Sequence, residues 1–538
     1  MAVMTDQTYD YVIVGAGAAG CVLAYRLTAD RRNRVLLVEG GGSDRNPFIH
    51  MPKGIGKALS APGLVWPYAT TPHPCTNNNA EIWARGKVLG GSSAVNGMMY
   101  VRGQGADYDA VATTTSEDWS WSRIGQAYRE MENHELGAAE TRGATGPLHI
   151  TMPDQRDDLS EAAIDACVML GMSRKVDVNE PTDDERCGWA PRTVYKGVRE
   201  SAARAFLKPA RGRPNLTVLT GFMADKVVIE GKRAVGISGS HKGVPVTYRA
   251  AREVLLCAGA LASPAMLQRS GIGPAERLHQ IGVPLVQESP ELGYNLREHR
   301  ALVMQWRTDD DASQNKEYRG SRLVKNVAEY YLTRKGKMSS ATYEVGAWFK
   351  TRPDLDRPDA QYLIAPYTMD FAAGGMDVEK QGGMHICAYI LRPESTGTVM
   401  ARSASPADLP EIVPNYHMHH GDRQKMIDLM HHARRLVRTE PLGRYIKEET
   451  RPSADFQSDD QIIAAYDAMG NGAYHASGSA EMGKDGAKPL DPRLRVRGID
   501  GLRVCDTSIL PFLVAGNTNG PAMVMAWRAA DMILEENA

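Results

Sequence analysis

Apolar positions along this chain come in short blocks separated by turn formers. Residues 11–14, YVIV, form one such block and lead straight into Gly15, Gly17 and Gly20. A helical pattern follows, then a second apolar run at 35–38 that ends on Glu39. This order predicts a strand, a tight turn, a helix and a second strand. Further strand-like runs lie at 216–219 and 254–257. The latter meets Ala258, Gly259 and Ala260, and a helix is predicted over 263–268. Such a junction predicts a sheet strand whose C-terminal end faces a ligand. Runs at 360–365 and 385–391 predict strands of a second, largely antiparallel sheet. Between 42 and 80 the periodicity fades and Pro47, Pro52, Pro62, Pro67, Pro72 and Pro74 interrupt the chain, which predicts a long cover or lid. Near the end, 522–533 read as a helix with Asn519 as N-cap and Pro521 just inside.

The N-terminal block carries its own chemistry. Gly15 permits a tight turn, Gly17 lets a pyrophosphate approach the backbone, and Gly20 lets the helix pack on the strand. The helix N-terminus, at Ala18 and Ala19, offers free N–H groups and a partial positive charge to phosphates. Glu39 stands where a carboxylate would take a ribose hydroxyl, with Gly40 beside it. An acid there favours FAD or NAD over NADP.

With 538 residues the chain exceeds one ordinary core, and two lobes interleaved in sequence are expected. The expected division puts 5–150, 211–300 and 456–538 in a dinucleotide-binding domain and 151–210 and 301–455 in a substrate-binding domain. Net charge is −1, so nothing suggests a nucleic-acid partner. Seven scattered cysteines without a CxxC pair fit a reducing compartment. No signal peptide or membrane-length apolar run is apparent, so a cytoplasmic protein without a transmembrane segment is expected. His417, His419, His420, His431 and His432 read as a solvated loop and helix face, not a metal site. The basic cluster from His432 to Arg435 reads likewise.

Four blocks resemble the glucose–methanol–choline (GMC) oxidoreductases, in particular their choline dehydrogenase-like bacterial branch. They are GKVLGGSSAVNGMMYVRGQGADYD (86–109), GALASPAMLQRSGIG (259–273), GAYHASGSAEMG (472–483) and VCDTSILPFLVAGNTNGPAM (504–523). The resemblance implies an α/β protein with a Rossmann-type FAD-binding lobe and an interleaved antiparallel-sheet substrate lobe. It implies FAD in place of NAD. It assigns cofactor contacts to Arg85, Val88, Gly90, Gly91, Asn96, Gly97 and Met98, to Val227, Ala258, Gly259 and Asp506, and to Asn517, Asn519 and Pro521. Members with covalently attached flavin carry a histidine just before the asparagine that matches Asn96. Here it is Val95, so non-covalent FAD is expected.

Oxidising an alcohol with a flavin requires a base for the hydroxyl proton and a donor to hold the forming alkoxide. His475 matches the family's catalytic histidine. Asn517 matches the position of its partner and can act only through hydrogen bonds. Glu344 resembles a roof carboxylate near a substrate cation, with Tyr474 as a further substrate contact. The expected reaction is oxidation of a primary alcohol to an aldehyde, with O2 or a quinone or redox protein as electron acceptor. The alternatives are a non-redox flavoprotein, such as a hydroxynitrile lyase, and an NAD-dependent dehydrogenase.

Overall fold

The computed structural model describes residues 3–372, 374 and 377–537. Two sheets organise it. In the first, Leu216–Thr220, Val35–Glu39, Val3–Val14 and Val244–Leu256 lie side by side in parallel, with Leu502–Val504 parallel to Val244–Leu256. Arg233–His241 and Phe222–Glu230 extend it as antiparallel strands. Residues 11–14, 35–38 and 254–256 of the parallel strands are apolar and buried because helices cover the sheet. Helix Ala18–Leu27 follows the first strand, and helix Asn519–Glu536 packs against it.

Register decides where the ligand end lies. Val14 pairs with Val38 and with Leu256, and Leu256 pairs with Val504. Gly15, Cys257 and Cys505 therefore leave the sheet at one edge, where Glu39 is the last residue of its strand. That edge is the C-terminal end of the parallel strands, where open α/β sheets bind ligands. Four segments far apart in sequence meet there.

The second sheet has eight strands. Its centre is Arg300–Arg307, Gly383–Ile390, Ala360–Ala365, Val345–Phe349 and Arg186–Trp189, each antiparallel to its neighbour. The runs expected at 360–365 and 385–391 are its central strands, and every residue in both is buried. One face of this sheet packs under helices Asp158–Met169, His420–Leu436 and Asp459–Met469. The other face, with Val303, Leu363, Cys387 and Tyr389, looks toward the first sheet's ligand edge. Ala202–Leu207 pack into the core of the first sheet. Ile462, Ile463, Ala465 and Tyr466 pack into that of the second.

Two surface expectations need correction. His419, His420 and His431 are exposed, but His417 and His432 are buried. The His432 ring stacks on Phe349, 4.1 Å between centroids, and its Nδ1 meets the Tyr362 hydroxyl at 2.8 Å. Arg434 is also buried and makes a two-pronged pair with Glu449. A helix whose inner face meets a sheet must bury what it places there, and these polar groups bring partners with them. All seven cysteines are buried and unpaired.

Candidate active site

A cavity of about 1300 Å³ lies between the ligand edge of the first sheet and the inner face of the second. Single small-molecule sites run to roughly 300–1,000 Å³, so there is room for a large cofactor together with a substrate.

The floor is made of backbone. Gly15 has φ +102°, and a Cβ there would stand 2.4 Å from the Cys257 carbonyl oxygen. A Cβ on Gly20 would stand 1.9 Å from the Gly15 carbonyl oxygen, so helix and strand touch through this glycine. Gly17 and Gly259 are different: a Cβ at either would meet nothing closer than 4.0 Å, and both line the cavity. Helix Ala18–Leu27 starts at Gly17 without a side-chain cap, and Ala18 and Ala19 also line the cavity. Its free N–H groups suit a pyrophosphate. Gly91, φ +53°, would place a Cβ 2.7 Å from Gly17 Cα, which brings the 86–98 loop against the glycine turn.

Glu39 sits in the wall with both carboxylate oxygens engaged: Oε2 accepts from the Ala16 N–H at 3.0 Å and Oε1 from the Gly41 N–H at 2.8 Å. Burial pushes its pKa up to about 7, against the pull of those two donors. Asp506 Oδ2 accepts from the Gly259 N–H at 2.8 Å and from the Ser263 hydroxyl at 2.6 Å. Asn96 Oδ1 accepts from Met98 N–H and from Arg199 Nη1, which leaves its Nδ2 free to donate. Arg85 lines the cavity, and its Nη2 lies 3.5 Å from Glu298 Oε2 in an ion pair. Open space at Gly17 and Gly259 and an uncapped helix N-terminus together fit a dinucleotide such as FAD.

The expected contacts separate into two groups. Gly40, Gly97, Met98, Ala258, Asn517 and Asn519 line the cavity with those above. Gly20, Val88, Gly90 and Pro521 lie behind its surface. Gly90 holds the loop in place by donating its N–H to the Ala16 carbonyl at 2.8 Å. Val227 does not reach the cavity: its side chain is buried and its N–H is spent on the Ser270 hydroxyl at 2.9 Å. The strand meets the cavity at its start, through Phe222, Met223 and Ala224. The C-terminal helix begins at Asn519 with Thr518 as N-cap, one residue earlier than expected and with no side-chain cap. Val95 is on the cavity wall.

Glu344 also moves out of the site. Its Oε1 accepts from Arg192 Nη1 at 2.6 Å, and its side chain is absent from the wall that Thr342 and Tyr343 form. Tyr474 does line the cavity, at φ +66°, with the Arg85 guanidinium 5.6 Å above its ring.

His475 anchors a network that motifs alone do not reveal. Residues 471–477 run antiparallel to 297–301: Ala301 faces Asn471, Arg300 faces Gly472 and Arg297 faces Ser477. This pairing sets His475 beside His299. Their Nδ1 atoms are 2.9 Å apart, and His299 Nε2 lies 2.8 Å from the Leu391 carbonyl oxygen. The His475 N–H donates to Glu298 Oε1 at 2.7 Å. On the far side, His475 Nε2 lies 3.2 Å from Asn517 Nδ2. Asn517 Oδ1 takes a longer contact, 3.4 Å, from Gln361 Nε2, and Gln361 Oε1 accepts from the Tyr389 hydroxyl at 2.8 Å. The Tyr389 ring stacks on His299 at 4.6 Å.

These contacts fix the protons. A carbonyl oxygen only accepts, so His299 carries its hydrogen on Nε2. Burial lowers the His299 pKa to about 4, so the ring is neutral and its Nδ1 is an acceptor. The facing His475 Nδ1 must then donate. Burial, with His299 and Arg85 adding to it, holds the His475 pKa well below 6.5, so this ring is neutral as well. Its Nε2 is left as a lone pair facing the Asn517 amide. The sequence reading missed His299, Gln361 and Tyr389. The available signal was a polar pair, Glu298-His299, directly ahead of strand Arg300–Arg307.

The GMC oxidoreductase family model matches residues 9–301 with its N-terminal part and 393–526 with its C-terminal part. The oxygen-dependent choline dehydrogenase of Burkholderia pseudomallei is 37% identical over 535 residues, covering 98% of this chain and 94% of that protein. Pyridoxine 4-oxidase from Mesorbium loti superposes with a TM-score of 0.87 at 27% identity, over 98% of this chain and 99% of the other. A variant of formate oxidase from Aspergillus oryzae superposes with a TM-score of 0.91 at 24% identity, over 99% of each chain, and shows the shared fold.

Proposed function

This chain belongs to the GMC oxidoreductases, FAD-dependent enzymes acting on CH–OH donors, and from that premise we propose that it oxidises a primary alcohol to the aldehyde with His475 as base and Asn517 as hydrogen-bond donor. The observation that carries the reading is the one-way hydrogen-bond chain that leaves a lone pair on His475 Nε2 beside an amide N–H. An alcohol whose oxygen sits beside this pair, within reach of both, gives its proton to Nε2 while the oxygen accepts from Asn517 Nδ2. As the proton leaves, negative charge grows on that oxygen, and the amide hydrogen bond strengthens with it. Asn517 is held for this by Gln361, and Gln361 by Tyr389. FAD, when bound, supplies the acceptor for the hydride. Gly17, Gly259, Glu39, Asn96, Arg85 and the N-termini of the two helices would hold it.

The pyridine-nucleotide alternative falls with the family assignment, and none of the relatives named above is a lyase. Val95 has no nucleophile, so FAD is held non-covalently in this reading. Acid precipitation then releases the yellow chromophore, and flavin retained in the pellet contradicts it. For the acceptor we favour O2, after the names of the relatives, over a quinone or redox protein. The two lobes follow the two sheets, with edges drawn near 202 and 470 where the cores part. No helix among the described residues is long and apolar enough to cross a membrane.

The direct test is His475→Ala. The variant keeps its flavin and loses about 10² to 10⁴ in the rate of anaerobic flavin reduction by alcohol, the usual cost of removing a general base. Reduction at a rate near wild type moves the base elsewhere.

A further inference from the structure

The wall facing the substrate carries charge of the opposite sign from the one expected of Glu344. Lys53, in the segment expected as a lid, lines the cavity half-buried. Its Nζ lies 4.6 Å from the centre of the Tyr367 ring and 5.2 Å from that of Tyr318. It takes part in no ion pair among the described residues, because the nearby Glu344 is already bound by Arg192. Burial pulls its pKa down to about 8, as for an ammonium short of compensation. Its charged neighbours, Glu344, Lys337, Arg192 and Asp157, all lie outside the glycine-rich floor. The cofactor's phosphates are therefore not its counterion.

One wall connects Lys53 to the base. Tyr389 lies 5.5 Å from His475, ring to ring. Cys387 and His385 follow Tyr389 along one face of strand Gly383–Ile390, and His385 lies 5.1 Å from the Tyr367 ring beneath Lys53. The four residue steps from His385 to Tyr389 span about 13 Å of strand at roughly 3.3 Å each. Between the ends the lining is apolar or aromatic: Val303, Leu363, Phe371 and Tyr343. Strand Gly383–Ile390 carries no carboxylate, and Asp377, which lines the cavity in the same segment as Phe371, is exposed.

We infer that Lys53 is a recognition point for a carboxylate on the substrate, which makes the preferred alcohol an ω-hydroxy acid with an apolar chain between its two ends. This rests on the reading of His475 as the base at one end of the wall. The hydroxyl meets His475 and Asn517, the chain lies along the apolar wall, and the carboxylate completes the ammonium between two tyrosine faces.

The experiment uses the FAD-loaded enzyme, with ω-hydroxydecanoate, decanol and choline as substrates and decanoate as a ligand that cannot be oxidised. In wild type, ω-hydroxydecanoate gives the highest kcat/KM, and decanoate shifts the flavin absorbance where choline does not. In Lys53→Met the ratio of kcat/KM for ω-hydroxydecanoate over decanol falls about tenfold or more, the loss of one charge-assisted contact. Decanoate binding weakens in parallel, and Lys53→Arg restores both. A ratio unchanged in Lys53→Met, or choline as the best wild-type substrate, overturns the inference. Decanoate binding involves no oxidation, so it reads the Lys53 site even where His475→Ala has disproved the base.

Discussion

The floor and the roof of this cavity are built by opposite means. The floor is backbone: strand ends in register, glycines that admit a ligand, and a helix N-terminus without a cap. The roof and its corner are side chains: His475, His299, Asn517, Gln361 and Tyr389 come from five separate segments and meet in a directed chain of hydrogen bonds. A floor of backbone recognises what every member of a family shares. A roof of side chains sets the reaction and the substrate, and it can change without disturbing the floor.

Substitutions at the glycines break the floor most completely. Gly15→Val forces a side chain against the Cys257 carbonyl at a φ that L residues avoid, and the purified protein should lack flavin absorbance and unfold at lower temperature. Gly17→Ala has open space for its methyl group on the protein side. It should fold with an unchanged melting temperature and still lose FAD, because the methyl stands where the cofactor passes. If Gly17→Ala retained FAD at full affinity, the cofactor would not run past this turn.

Glu39→Ala tests a side chain that holds the floor's amides. Losing charge-assisted contacts to a ribose costs about 1.5–3 kcal/mol, or roughly ten- to a hundredfold in the FAD dissociation constant. An unchanged constant, measured by flavin fluorescence, would mean that Glu39 serves only the Ala16 and Gly41 amides.

His299→Phe sharpens the roof side of the comparison. It fills the same buried space and keeps a ring against Tyr389, but it offers no acceptor to His475 Nδ1. The His475 proton is then free to sit on Nε2, where the base must be empty. We expect normal flavin content, little change in KM, and a loss of about 10- to 100-fold in the reduction rate, the usual size for groups that orient a reacting residue. A loss confined to stability would reduce His299 to a packing residue.

The same contrast explains what the sequence disclosed. The floor was legible because each demand falls on neighbouring residues: Gly15, Gly17, Gly20 and Glu39 fit inside one strand–helix–strand unit. His475 and Asn517 were legible through the blocks around them. The partners that set their protons were not, because His299 reaches His475 only through pairing of 297–301 with 471–477, some 170 residues apart. Glu344 was misread for a related reason. Its block resembles a roof strand, but Glu344 lies just ahead of strand Val345–Phe349 and is held by Arg192, a partner 152 residues away. Val227 failed because its amide already had the Ser270 hydroxyl as acceptor.

The central claim is that His475 works as a neutral ring with its lone pair on Nε2. The most direct measurement is the rate constant of anaerobic flavin reduction by a saturating alcohol across pH, in wild type and in His475→Ala. A base with a depressed pKa stays unprotonated until the pH falls past that lowered value. The wild-type rate should therefore be level through pH 6.5 and decline only well below it, and the residual rate of His475→Ala should show no such decline. A wild-type decline centred at or above about 6.5, the ordinary histidine value, or the same acidic limb in His475→Ala, would contradict the account.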